Sequence, residues 1–524
     1  MTWRHYLLLA FLGLSVATLV AAFQPAPGYM DADYYYAGGL QLATGHGFTE
    51  PYLWNYLDDP TGLPHPSNAY WMPLASLLAA AGAALFGPAS WSAARVGFLA
   101  VAAAIPPLTA ALAWFFTSRR DLALTSGLLA VFSAFYLPFL PVTDTFGLYM
   151  LFGALFFLTA NHRSPMARSL LLGLIAGLMH LSRADGLLWL LVAFAVIFFT
   201  RPALIVRRQV FTYYVVCFAL TLVGYLLIMA PWFIRNYSAF GTPLASGGSK
   251  MLWLTSYNQI FTYPSSQLNF TAWGQSGFGA ISKVRLWALG INLERTLAEQ
   301  GEIFLLPLIG LGLWNLRKDR RVQLAGLAWL LTLAAMTVAF PFAGARGGFF
   351  HSGAALQPVW WALAPLGLER VIEWGKRKRG WNSAQAGAIF RVALVGMAMF
   401  LTATILWGKL MTGNAGQAWS QENTAYSQIE KYLVSKGAAT GDTVIVANPP
   451  GFYLASGNPA IAVPDGDVDT LLTVARRYNA IYLVLEEGSV PVGLLPVYEN
   501  PKGETDLIYL GEVEHARIYL IRPL

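Results

Sequence analysis

Cysteine is nearly absent. Cys217 is the only one in 524 residues, and it sits inside an apolar run, so no disulfide can form within the chain. Charge is scarce too: 12% of residues are charged, against roughly 25% in an ordinary soluble domain. There is no P-loop, no GxSxG elbow and no HExxH pair, which removes the common nucleotide, acyl-transfer and zinc-protease signatures. No internal repeat or low-complexity tract is visible, and His46, His65 and His180 lack metal-ligand spacing. What abounds is apolar: 56% of the chain is hydrophobic. Runs of about 20 residues, the length that crosses a bilayer, recur from the N-terminus to roughly residue 410. A polytopic α-helical membrane protein is expected. The net charge of +7 fits cytoplasmic-loop lysines and arginines, so nucleic acid is not an expected partner.

Topology follows from the positive-inside rule. The first run, near Tyr6–Phe23, reads as a retained span, because Pro25-Ala26-Pro27 is a poor cleavage context. Trp71–Gly87 is short and interrupted by Pro73, so it reads as lying at the outer surface. The basic clusters at Arg119-Arg120, Arg201/Arg207/Arg208, Arg317–Arg321 and Lys376–Arg379 then all fall inside, with about eleven crossings. The chain divides into a membrane part, 1–411, with a first outer loop at 24–90 and a long outer loop at 236–300, and an extracytoplasmic α/β domain at 412–524. In that domain Val468–Tyr478 reads as a helix, and Thr443–Ala447, Ala480–Leu485, Leu507–Leu510 and Ala516–Ile521 as strands. The domain carries no acid cluster or phosphate loop and is expected to be auxiliary.

Acids are few, so Asp31 and Asp33, two acids within three residues of Gly28–Phe48, stand out. Tyrosines and small residues at helical spacing follow them, and Gly45-His46-Gly47 stops the pattern. This reads as a short surface helix with acids at its N-terminus, where a single acid could serve only as a cap. Asp144 reaches the same face from the second outer loop. Three outer-face acids could hold a divalent cation or deprotonate a hydroxyl. Arg235, in PWFIRNY, and Arg346, in GARGGFFH with His351 close by, could grip a phosphate. Each has a plainer alternative: an interfacial anchor beside Trp232 for Arg235, and a cap for Asp144. Arg183 and Asp185 read as a mutual ion pair, Lys250 as a mobile-loop residue, and Asp465–Asp469 as a turn with a helix cap.

This layout resembles the GT-C superfamily of polyprenyl-phosphate-sugar-dependent glycosyltransferases, particularly protein O-mannosyltransferases and aminoarabinose transferases (family 39-like). The resemblance covers about residues 1–410. Its carriers are Asp31 with Tyr35 and Leu42-Ala-Thr-Gly45, the second-loop Asp144, and Pro231-Trp-Phe-Ile-Arg-Asn-Tyr with Phe240-Gly-Thr-Pro243. It implies a catalytic acid at Asp31, although the second acid is displaced to Asp33. It also implies a sugar donor on a polyprenyl phosphate, no nucleotide cofactor, and an acceptor hydroxyl on protein, lipid or glycan. The joint expectation is inverting transfer, with Asp31, Asp33 and Asp144 catalytic, Arg235, Arg346 and His351 on the donor phosphate, and any divalent metal on Asp33 and Asp144. Two other classes compete. A transporter or lipid flippase would need midplane charges and inverted repeats, and an assembly protein would act through the α/β domain.

Overall fold

The computed structural model describes residues 1–87, 90–199, 210–412 and 418–522; the basic cluster at Arg201, Arg207 and Arg208 lies outside them. The chain forms two compact units, and neither is a continuous stretch. One comprises Met1–Phe23, Arg95–Asn236 and Arg285–Leu410; the other gathers Gln24–Ala94, Tyr237–Val284 and Met411–Leu524. A division between the units falls near residue 411, but the first expected outer loop and most of the second, Tyr237–Val284, fold with the C-terminal α/β region. The sequence boundary followed a shift in composition along the chain, whereas the units are set by which surfaces bury each other.

The first unit is helical. Among the described residues six helices are long and apolar enough to cross a membrane: Trp3–Ala22, Trp91–Thr117, Pro165–Ser182, Val210–Phe240, Arg320–Ala339 and Ser383–Met411. Several other expected crossings form shorter helices. Leu122–Leu140, for instance, is a 12-residue helix, Arg120–Val131, spanning about 18 Å, and a 3₁₀ segment over Ala134–Phe139. Small residues let these helices touch backbone to backbone, as is usual where lipid removes the hydrophobic drive for association. A Cβ added at Gly153, Gly173 or Gly367 would lie 1.8, 2.0 or 1.9 Å from the carbonyl oxygen of Ala355, Thr221 or Leu308. Glu369 accepts from Arg119 at 2.6 Å and from Arg391 at 2.8 Å, tying three helices of this unit together.

The second unit is built on a six-stranded sheet. Its strands are β1 (Tyr52–Leu53), β2 (Thr443–Val446), β3 (Ala460–Ala462), β4 (Ala480–Glu486), β5 (Leu507–Val513) and β6 (Ala516–Ile521), arranged β1-β3-β2-β4-β6-β5. The first four run parallel, and β6 and β5 close the sheet antiparallel. The expected helix over Val468–Tyr478 and the later strands are present. The edge strand β1 was not expected. It comes from the first loop and pairs Tyr52 with Ala460 and Leu53 with Ile461. Alternation divides the core: Ile445, Ile461, Leu483 and Tyr519 pack with Leu53, Tyr56 and the Val468–Tyr478 helix. Val444, Val446, Tyr482 and Ile518 pack on the other face with Tyr426, Ile429 and Phe452. Leu74–Phe86 is a helix of 13 residues in this unit, about 20 Å long against a hydrocarbon core of about 30 Å.

A run of buried polar groups lies at the C-terminal end of β4. Glu486 accepts from Tyr426 Oη at 2.9 Å and from the Ala447 N–H at 3.0 Å. Burial, and after it the Glu422 carboxylate, push the Glu486 pKa up to about 7. Its folded pKa thus exceeds its unfolded value of 4.5. The folded state therefore binds the proton more tightly, and stability falls as pH rises from about 4.5 to about 7. Glu486→Gln keeps an acceptor for Tyr426 and Ala447 without the charge. It is expected to flatten this fall and, at pH 8, to melt a few degrees above the parent in detergent. Parallel pH curves for the two proteins would contradict it. Separately, the Tyr56 hydroxyl, buried in this unit, donates to the Ala462 carbonyl. Tyr56→Phe should lower stability by about 1–2 kcal/mol, read from the unfolding midpoint; an unchanged midpoint would remove this bond from the account.

Candidate active site

Each unit carries part of the predicted site. In the α/β unit, Asp31 and Asp33 lie in the first turn of the Met30–Ala43 helix. Neither is the cap. The N-cap is Tyr29, which makes no side-chain cap bond, so the acids complement the helix dipole from inside the first turn. The helix ends at Thr44, followed by Gly45 at φ +86°, as the sequence pattern predicts. It is wedged against Leu74–Phe86, where a Cβ at Gly39 would come 2.7 Å from the Ala79 Cβ. Tyr34 Oη accepts the Asn68 N–H at 2.8 Å. Asp31 is half-buried.

Asp33 is 5% exposed, and its Oδ2 accepts from Asn448 Nδ2 at 2.9 Å. The other hydrogen of that nitrogen serves Glu422 Oε1 at 2.8 Å. Burial, then the neighbouring Glu422 carboxylate, hold the Asp33 pKa well above the usual carboxylate range. Asn448 lay outside the sequence reading, although Asn448-Pro-Pro is a legible helix start.

In the helical unit the turn before Phe146–Thr159 holds Asp144, which is 1% exposed. Its Oδ1 accepts from the Thr145 N–H and hydroxyl, and the N-cap is Thr145. His351 Nδ1 faces the same oxygen at 3.6 Å and Thr145 Oγ1 at 3.3 Å. The imidazole stacks on Phe146 with ring centroids 3.8 Å apart. Burial, and then Arg183 and Arg295, hold the His351 pKa well below its ordinary value, so the ring is neutral at pH 7 and carries a lone pair. A carboxylate oxygen and a neutral imidazole nitrogen at this separation are too far apart for a good hydrogen bond. They suit two ligands of a divalent cation.

Around them, Asp185 pairs with Arg183 Nε at 2.9 Å, as the sequence reading has it. It also accepts from Ser352 Oγ at 2.7 Å and Tyr149 Oη at 3.3 Å. Arg295, missed by the sequence reading, bonds Glu299 and donates to the Ala345 carbonyl at 3.2 Å; its signal is an Arg-x-x-x-Glu spacing beside apolar residues. Arg346 is exposed at a kink where Gly347 takes φ +121°, a value that favours glycine. Arg235 lies 4.8 Å over the Trp232 ring and donates to Asn236 Oδ1 at 3.1 Å, the geometry of its plainer alternative. Lys250 donates to the carbonyls of Ser265 and Leu268, and Asp467 caps its helix through the Thr470 N–H at 3.0 Å.

No family model matches the chain, and no curated protein does. Solved structures do. ArnT from Cupriavidus metallidurans bound to undecaprenyl phosphate aligns over 99% of both chains, with a TM-score of 0.56 and 14% identity. The apo oligosaccharyltransferase of Archaeoglobus fulgidus aligns over 92% of this chain and 69% of its own, with a TM-score of 0.55 and 13% identity. The same archaeal enzyme in complex with Zn and sulfate covers 90% and 67% at a TM-score of 0.53 and 13% identity. The chain has the GT-C fold of these membrane proteins.

Proposed function

We propose that the protein is an inverting glycosyltransferase that moves a hexosyl or pentosyl group from a polyprenyl-phosphate-linked donor to an acceptor hydroxyl at the extracytoplasmic face of the membrane. The observation that carries this reading is the conjunction of two site fragments with the fold. An acid helix directly follows the first span, and a buried Asp144–His351 pair opens the second loop. Both occur on a fold that, in ArnT, binds undecaprenyl phosphate. Asp31 is the base. It takes the acceptor proton as the acceptor oxygen bonds to C1 of the sugar. The C1–O bond to phosphate breaks on the opposite side, and its electron pair leaves with the polyprenyl phosphate.

Cationic groups offset the charge on the departing phosphate. Arg346 and Arg235 are the proposed donors, and Arg295 joins them as a third. Asp144 and the neutral His351 fit a divalent cation, which would act there as a Lewis acid on the phosphate oxygens. The archaeal enzyme that shares the fold crystallises with Zn, which supports the donor set without naming the metal. Asp33 is assigned to holding its helix, because its carboxylate is already engaged by Asn448. The acceptor is a hydroxyl of a protein, lipid or glycan, and neither nucleotide nor nucleic acid enters the reaction.

Asp31→Asn should leave the protein folded and inserted while lowering transfer about 10²–10⁴-fold, measured in detergent with a polyprenyl-phosphate sugar; wild-type turnover would remove Asp31 as the base. A chelator should abolish transfer by the parent protein, and added divalent cation should restore it. His351→Ala should need more cation for half-maximal rate. Indifference of the parent to the chelator would remove the cation from the mechanism.

A further inference from the structure

We propose that Asn448 is a positioning residue for transfer: by holding Asp33, it fixes the helix that presents Asp31. This rests on the assignment of Asp31 as the base. Asn448 is 3% exposed, and every polar group it has is engaged. Its Oδ1 accepts the Gly451 N–H at 3.1 Å and so caps the Pro449–Ser456 helix. Its backbone N–H donates to Tyr426 Oη at 3.1 Å, and that hydroxyl bonds Glu486. Its Nδ2 serves the two carboxylates of Asp33 and Glu422.

Asn448 is therefore locked from the sheet side before it reaches the acid helix. Asp33, Ala37 and Gln41 recur at four-residue spacing on one face of that helix. Ala37 is fully buried, and Gln41 Nε2 donates to Tyr453 Oη at 2.8 Å. Tyr453 belongs to the helix that Asn448 caps. The two polar ties thus bracket the same helix–helix contact. At this contact a Cβ on Gly451 would come 2.6 Å from Asn448 Nδ2 and 2.9 Å from Asp33 Oδ2, so only glycine leaves the amide and the carboxylate their seats. Asp31 lies two residues before Asp33 on a rigid turn, and a displacement at this seat carries directly to it.

The deciding variant is Asn448→Asp, because aspartate still caps the Pro449–Ser456 helix but presents an acceptor where Asp33 and Glu422 need a donor. It should lower kcat on the order of 10²-fold, the usual cost of misplacing a reacting group by about 1 Å, with KM for the polyprenyl-phosphate sugar unchanged. Inverting the pair corrects the mismatch. Asp33→Asn combined with Asn448→Asp and Glu422→Gln should bring kcat back to within roughly tenfold of the parent, which a merely destabilising change would not allow. Gly451→Ala, which removes no polar group but crowds Asn448 Nδ2 and Asp33 Oδ2, should give an intermediate loss. A melting temperature for each variant separates unfolding from misplacement. Wild-type kcat in both Asn448→Asp and Gly451→Ala, or a triple variant no better than Asn448→Asp, would overturn the proposal. If that happens while Asp31→Asn is inactive, the positioning role fails and the glycosyltransferase reading stands; a fully active Asp31→Asn defeats the reading itself.

Discussion

A carboxylate taken out of water needs a donor, or it costs several kcal/mol. Asp33 meets that requirement through one side chain, Asn448, more than four hundred residues along the chain. Much of the α/β unit is arranged so that this donor is in place. The first loop lends β1 to the sheet, Tyr56 anchors it to Ala462, and the Trp419 indole donates to the Ala26 carbonyl at 3.0 Å near the start of the loop. The region after residue 411 is therefore a support for the acid helix. Its edge strand and part of its core come from the first loop.

The helical unit solves a different problem. It must gather charged and polar side chains where apolar helices meet, and it does so at interrupted helices. Short π-helical turns occur at Thr296–Gln300 and Ala335–Ala339, and a kink at Arg346–Gly347; π-helical turns are frequent at functional sites. Arg295, Arg346 and His351 sit in or beside them. Asp144, His351, Asp185 and Ser352 form two adjacent polar pairs tied by the 351–352 peptide. Each is buried or nearly so, so each charge is matched by a specific donor.

Several features were legible in the sequence because their signals are local. The acid helix follows from spacing and a glycine stop, the Arg183–Asp185 pair from two charges two residues apart in an apolar setting, and the Val468–Tyr478 helix from its period. What was not legible is non-local. Strand β1 has two residues, too few for an alternation to register, and its partner lies at Ala460–Ile461. His351 was read as a phosphate ligand because glycines and Arg346 precede it; its pairing with Asp144 joins positions 207 apart in the numbering and leaves no local trace. Asn448 carried a readable cap signal, but nothing in the sequence says that its amide nitrogen reaches Asp33.

The most direct test of the account is on the lipids of the cell rather than on the protein. Polyprenyl-phosphate-linked sugars should be extracted from cells lacking this chain and from cells complemented with it, and compared by mass spectrometry. The account predicts that one such sugar lipid accumulates without the chain and returns to its normal level when the chain is restored. An unchanged pool of every polyprenyl-phosphate sugar, in cells shown to lack the protein, would contradict it.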